Sequence, residues 1–576
     1  MAAYFIEIVL TVFLLTLYNA FAYDLTILHT NDVHGRITQF DSGTVRCSLA
    51  SANAGDCFGG AARIQTVVKQ TRTEIDNVLL LDGGDQFQGT TWFHYYQGDA
   101  TAHFMNKIGY DAMAIGNHEF DLGPEVLARF LRNVNFDVVS ANVDVSNETS
   151  LQGLFTKSVI KDVNGERIGI VGYTYRDTPV LSQAAVGAAV FEDEIETVQR
   201  EVDMLIDKGI DMIIGLGHSG YEVDLEVAAR VRGVDIVVGG HSDTFLYTGT
   251  PPSTDIPQGE YPTVVTQTHD STRRVLVVQD YARAKYLGRL DVVFDDEGEV
   301  VEYSGNPILL DDTVEQDPDI LTDISTWGAP IRDISNQVIG RSNVILQGAF
   351  ETCCSRECNI GNLLTDAYVR AFVPDKASDQ GWTNVTVAIE LCGSIRGSIN
   401  QGDILFEDVV GVLPFQNTID AIDIRGSDLK STLEIAVAGS TFQGEFMQFS
   451  GILVTYDISK NPYSRVVEAL VLCSDCVSPE YQPIVDDRIY RIAVSSYFYL
   501  FLKDVAMNHQ TGGIGTTVVR QYIEQFSPII TSQERRIRFV EQPATPSTSP
   551  PTMVPTNMKM RKYDKNGSPI RKTRKQ

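Results

Sequence analysis

Four of the nine histidines, His34, His118, His218 and His241, lie beside Gly or Asn in polar loops. Asp32, Asn117 and Asp121 stand in the same loops, and Asp85 ends a fifth, Gly83-Gly84-Asp85. One histidine so placed is ordinarily a plain hydrogen-bonding residue; four joined by carboxylates read as a ligand set. Imidazole and carboxylate suit Zn²⁺ or Mn²⁺, accept Ca²⁺ or Mg²⁺ less comfortably, and a carboxylate can bridge two ions. Two ions about 4 Å apart lower the pKa of bound water and clamp both ends of an in-line phosphoryl displacement. Asp32-Val33-His34 puts two ligands on one side of an extended segment. In Asn117-His118-Glu119-Phe120-Asp121 an amide ligand precedes a histidine that Asp121 can orient and keep charged, ready to stabilise a transferred phosphoryl group.

The elements that must carry these loops are short β-rich runs. They are Leu25–His29, Val78–Asp82, Ala112–Ile115, Val138–Ala141, Ile168–Val171, Met212–Leu216 and Ile236–Val238, with helical segments such as Ala61–Thr71 and Phe191–Lys208 between them. The alternation predicts an α/β layered domain over residues 23–311. Loops beyond the carboxyl ends of strands carry the site in such sheets, so five separate loops are placed to converge at one edge. Residues 312–340 read as a charged helical connector and hinge. Residues 341–540 form a second, mixed domain, with runs Thr386–Leu391, Ile419–Ile424 and Ile492–Val494.

A length of 576 residues, 43% hydrophobic and 21% charged, fits two folded domains and excludes a disordered or collagen-like chain. The formal charge of -29 repels phosphate backbones, which argues against nucleic-acid binding. A small anionic substrate therefore needs a local device: metal ions or placed arginines.

Ile8–Leu17 is an apolar run too short for a comfortable membrane span, and Ala20-Phe21-Ala22 follows it as a cleavage signal. Residues 1–22 are read as a signal peptide, which predicts a secreted, extracellular protein without a membrane anchor. Residues 541–576 are read as a disordered tail: Gln542–Asn557 is rich in Pro, Ser and Thr, and eight Lys and Arg opposed by Asp564 then give +7, leaving -36 elsewhere. The tail offers at most a weak contact with cell-surface polyanions. Eight cysteines in such a chain suggest disulfides: Cys47 with Cys57, Cys353 or Cys354 with Cys358, and Cys473 with Cys476. Cys392 is left without an obvious partner. Asn147-Glu148-Thr149 and Asn384-Val385-Thr386 are glycosylation sequons.

The motifs Asn31-Asp32-Val33-His34-Gly35, Gly83-Gly84-Asp85, Gly116-Asn117-His118-Glu119-Phe120-Asp121, Gly217-His218-Ser219 and Gly239-Gly240-His241-Ser242 occur in that order. Together they resemble the 5′-nucleotidase branch of the calcineurin-like metallophosphatases, which includes ecto-5′-nucleotidases and the soluble salivary apyrases of blood-feeding arthropods. The resemblance runs from Asp24 to about Phe539. It implies an α/β fold: a layered β-sandwich flanked by helices, with a second mixed α/β substrate-binding domain. It also implies two divalent metal ions, one held by Asp32, His34, Asp85 and Asp243 and one by Asp85, Asn117, His218 and His241, with His118 and Asp121 as catalytic dyad. Asp243 is a departure, since relatives often carry Asn or Gln there; an extra carboxylate tightens the first metal and weakens attraction for phosphate.

The same resemblance assigns the second domain arginines for phosphate and two aromatic rings for a base. Gly393-Ser394-Ile395-Arg396 matches one arginine loop; in the other, Cys354 occupies the usual arginine position and Arg356 is the nearest substitute. Phe415 matches the first aromatic and Tyr497 is a candidate for the second, but the Gly-Gly-Asp-Gly turn that holds ribose is absent. The reading is a secreted phosphohydrolase of apyrase type, cleaving extracellular ATP and ADP and opposing platelets in saliva. Its alternatives are a 5′-nucleotidase converting AMP to adenosine, and a non-catalytic platelet- or integrin-binding antagonist on the same scaffold.

Overall fold

The computed structural model describes residues 22–540 apart from 43–45, 183–185, 375–381, 416 and 440–443. The leader and the tail assigned from sequence lie outside these residues, Ala22 excepted.

The N-terminal domain is built on two sheets. In the first, Tyr23–Thr30, Val78–Asp82, Ala112–Ala114 and Asp137–Val139 run parallel, and Tyr286–Phe294 and Val300–Gly305 extend it antiparallel beyond the first strand. In the second, Glu166–Thr174, Met212–His218, Ile236–Val238 and Arg274–Val278 are parallel, flanked by antiparallel edges Ser158–Val163 and Thr263–Thr266. Strands buried on both faces read as continuous apolar runs, and Leu79–Leu81 and Ile236–Val238 are of this kind. Leu25, Ile27, Leu79, Leu81 and Ala114 pack against Ile168, Ile170, Ile214, Leu216 and Val238 of the other sheet. The outer face of the first sheet is covered by helices Ala61–Glu74, Asp99–Ile108 and Pro124–Asn133, and that of the second by Glu194–Asp207 and Tyr221–Arg230. The result is a four-layer sandwich with its loops at the carboxyl ends of the central strands.

Helices Pro318–Gly328 and Arg332–Ser335 form the connector. The first is tied back onto the N-terminal domain, where the Asp323 carboxylate accepts from Lys107 Nζ at 2.6 Å and from His103 Nε2 at 2.9 Å. The strand Val338–Ser342 already begins inside the segment read as connector; it pairs with Gly402–Leu405.

The C-terminal domain has a five-stranded mixed sheet, ordered Met447–Ser450, Val387–Leu391, Ile489–Ser495, Ile419–Arg425, Met507–Gln510, and a smaller four-stranded sheet. Helices Asn359–Ala371 and Gly515–Phe526 pack with them into one core. Four disulfides occur among the described residues: Cys47–Cys57, Cys353–Cys358, Cys354–Cys392 and Cys473–Cys476. Cys392, unassigned from sequence, thus pairs with Cys354. The asparagines of both sequons are exposed.

Candidate metal centre and nucleotide site

The five loops do meet. Asp85, His218 and His241 bring ligand atoms within 4.8 Å of one another, and so do Asp32, His34 and Asp243. Asn117 joins the first group, its Oδ1 lying 2.8 Å from His241 Nδ1. Holding so many side chains inward from loops requires unusual backbone: Asp32, His34, Asp85, His241 and Asp243 all have φ between 50° and 79°. Non-glycine residues seldom adopt this region, and it persists where surrounding contacts over-determine it. Here the glycines of the motifs permit the approach. A Cβ on Gly116 would collide with Asp85 Oδ1, and Gly84, at φ +90°, would place one 2.9 Å from His218 Nδ1.

The buried Glu119 binds two of these loops together. Its carboxylate accepts from the backbone N–H groups of Gly116, Asp85, Gln86 and Phe87 at 2.7–3.0 Å. In the sequence Glu119 is only a member of a motif; a carboxylate flanked by His118 and Phe120 gives no signal that it serves a loop 33 residues away.

The donor set fits divalent cations. His218 Nδ1 donates to Gly83 O at 2.6 Å, which fixes the ring's orientation and turns Nε2 towards Asp85 Oδ2, 3.1 Å away. Nε2 is buried and has no hydrogen-bond partner. His34 Nδ1 likewise donates to Phe87 O at 3.0 Å. Backbone carbonyls that pin one ring nitrogen and free the other are the usual outer support of a metal-ligating histidine. The cluster is electrostatically divided. Burial opposes charge on His218, yet Asp85 and Asp32 raise it to about 10, whereas burial and the neighbouring His218 lower His241 to about 3.

Beside the clusters, His118 Nδ1 bonds Asp121 Oδ2 at 2.6 Å, and His118 Nε2 lies 3.9 Å from Asp85 Oδ2. Burial works against the imidazolium, but Asp121 and Asp85 override it and raise His118 to about 9.

The C-terminal domain reaches this point with two of its candidate residues. Arg396 Nη2 is 3.3 Å from His34 Nε2. The Phe415 ring stacks on His118, with centroids 5.3 Å apart and planes 27° apart, and the Arg396 guanidinium carbon is 5.7 Å from the Phe415 centroid. Tyr497 is half-buried on helix Ser496–Leu502; burial, with Asp121, Glu445 and Tyr175 nearby, pushes its hydroxyl up to about 12. Tyr175, not singled out from sequence, stacks on His241 with centroids 4.8 Å apart. Arg356 is exposed, and no side-chain contact joins it to the other candidates among the described residues.

Two further devices support the substrate side. Cys354–Cys392 ties the turn before Arg396 to the end of helix Phe350–Cys353. Glu390, 1% exposed, accepts from the Tyr368 hydroxyl at 2.6 Å, the Leu391 N–H at 2.9 Å and the Ser495 hydroxyl at 3.5 Å, and also from Ser394. Ser394 lies in the Arg396 loop, and Ser495 caps the helix that carries Tyr497 by accepting from Phe498 N. One buried carboxylate thus links both halves of the candidate substrate site.

A four-layer sandwich with paired His/Asp clusters at its strand ends defines a calcineurin-like metallophosphoesterase. Residues 25–244 match the family model described as calcineurin-like phosphoesterase, and residues 338–504 match that of the 5′-nucleotidase C-terminal domain. The 5′-nucleotidase of Diplobatis ommata is 45% identical over 538 residues, covering 91% of each chain. A snake venom 5′-nucleotidase from Naja atra is 42% identical, covering 90% of this chain and 99% of its own. The crystal structure of a 5′-nucleotidase precursor from Thermus thermophilus superposes with a TM-score of 0.81 at 34% identity, covering 90% of this chain and all of that one. The chain belongs to the 5′-nucleotidase family and is a metallophosphohydrolase that works with divalent metal ions.

Proposed function

We propose that the enzyme hydrolyses nucleoside 5′-monophosphates, AMP foremost, to nucleoside and phosphate. The observation that carries this is the meeting of Phe415 and Arg396 at the metal clusters: the base platform stacks on His118 itself, and Arg396 reaches His34. That leaves a short span between base and reacting phosphorus, as a monophosphate presents. Relatives named 5′-nucleotidase that match over both domains support the same reading, and favour it over cleavage of ATP and ADP. No observation favours a non-catalytic antagonist.

Asp32, His34, Asp85 and Asp243 would hold one ion, and Asp85, Asn117, His218 and His241 the other, with imidazole and carboxylate favouring Zn²⁺ or Mn²⁺. Bound ions supply Lewis-acid charge to the phosphoryl oxygens and acidify the attacking water. Asp121 orients His118 and keeps its proton on Nε2, facing the charge that develops on the phosphoryl group. Arg396 pairs with phosphate oxygens through its planar fork. Phe415 and Tyr497 supply aromatic faces for the base. Of the two arginines considered, Arg396 is the stronger phosphate ligand and Arg356 the weaker. The disulfides and exposed sequon asparagines support secretion and glycosylation.

The test is phosphate release from AMP, ADP and ATP in parallel. The reading expects the highest kcat/KM on AMP. A higher value on ADP or ATP overturns it in favour of an apyrase.

A further inference from the structure

Arg36 stands two residues beyond His34, yet its side chain belongs to a different place. It lines a cavity of about 420 Å³ whose walls come from the N-terminal domain (Arg36, Arg46, Trp92), the connector (Arg332) and the C-terminal domain (Glu407). No metal-cluster residue lines this cavity, nor do Arg396, Phe415 and Tyr497.

Arg36 is only 9% exposed. Its Nε is buried without a hydrogen-bond partner, and the guanidinium makes no side-chain hydrogen bond or ion pair among the described residues. Its guanidinium carbon lies 5.5 Å from the Phe40 ring centroid, and Arg283, Asp41 and Glu407 are near enough to act on its charge. Glu407 and Asp408 share the cavity wall, and each carboxylate near Arg36 has a hydrogen-bonding or ionic partner of its own: Arg46 for Glu407 at 2.6 Å, Asn400 for Asp41 at 2.9 Å, and the Leu405 N–H for Asp408 at 2.8 Å. A second guanidinium on the wall, Arg332, is exposed and also unpaired among the described residues. A buried guanidinium Nε left unmet is costly, and proteins rarely retain such a group without a partner.

We propose that this cavity is an oxyanion-binding site in which Arg36 and Arg332 grip a phosphate or carboxylate group. The rigid fork of guanidinium donors matches either group bidentately. The volume leaves room beyond the anionic head for a small organic remainder against Trp92. Because its walls come from both domains and the connector, the bound anion joins the three and opposes their separation. This inference does not depend on which nucleotide is hydrolysed.

The test uses the full chain, treated with chelator, in an Arg396→Ala background so that anions are not drawn to the nucleotide site. Thermal unfolding is followed while inorganic phosphate, sulfate or succinate replaces chloride at constant ionic strength. Sulfate and phosphate stabilise proteins generally, so the reading is the gain relative to variants. The parent should gain saturably. Arg36→Met should be at least as stable as the parent in chloride and should show no saturable gain. Arg332→Ala, an exposed change, should keep the chloride midpoint and weaken the apparent affinity about tenfold or more. A response to phosphate and sulfate alone assigns a phosphate group; a response to succinate assigns a carboxylate. Equal gains in parent and Arg332→Ala, or an Arg36→Met protein destabilised alike in every buffer, would overturn the proposal.

Discussion

Replacing Arg396 by Ala removes the cation that the second domain extends to the metal centre. In the structure its guanidinium meets His34 at 3.3 Å and lies over Phe415. Its backbone N–H bonds Val412 O at 2.9 Å, and the Cys354–Cys392 bridge steadies the turn before it. The loop should therefore hold its shape without the side chain. Hydrogen bonds to charged groups contribute about 1.5–3 kcal/mol each. With about 1.4 kcal/mol per tenfold change in affinity, losing one such bond raises KM for AMP roughly 10- to 100-fold. A fork making two bonds would sit at the upper end. On the proposed role, a side chain that pairs with phosphate in ground state and transition state alike adds little to the chemical step, so kcat should fall by no more than about threefold. Adenosine, which lacks the phosphate, provides the control: as a competitive inhibitor it should weaken much less than AMP. Initial-rate kinetics with inhibition by adenosine measure all three quantities. An unchanged KM in a folded variant would refute the reasoning, and so would a collapse of kcat at constant KM.

His118→Ala should lower kcat by roughly 10²- to 10⁴-fold in single-turnover assays while circular dichroism and metal content stay unchanged. Glu390→Leu should raise KM for AMP by loosening both the Arg396 loop and the Tyr497 helix, and Glu390→Gln, which preserves the hydrogen-bonding shape, should recover most of the loss; equal KM values in all three proteins would count against the link. Acid stability has a definite sign at the connector. Hydrogen bonds from Lys107 and His103 hold the Asp323 carboxylate below its ordinary value, so its contribution is present above that value and lost as pH falls through the lowered one. Thermal midpoints between pH 6 and 2 should therefore converge for wild type and Asp323→Asn at the acid end, and differ most at the pH 6 end.

Much of the site was readable because strands buried on both faces have an unmistakable apolar signature, and polar loops directly after them must emerge at one edge. Val78–Asp82 followed by Gly83-Gly84-Asp85 is such a case, and the glycines there mark backbone crowding that only the fold explains. What stayed hidden depends on contacts between distant segments. Cys354 and Cys392 are 38 residues apart, and no local spacing pairs them. Glu390 reads as one polar residue in an apolar strand, yet besides the adjacent Arg396 loop it serves a helix start 105 residues away. Nothing local in the sequence marks Arg36 as buried; its burial beside walls from the second domain and the connector appears only in the fold.

The central claim is that side chains from five loops form a cage for paired divalent cations. Elemental analysis of purified active protein, coupled to chelation and metal add-back, tests it most directly. Two bound ions per chain, with activity lost on their removal and restored on their return, are expected from the two ligand groups. Full phosphohydrolase activity in protein that carries no divalent metal would contradict it.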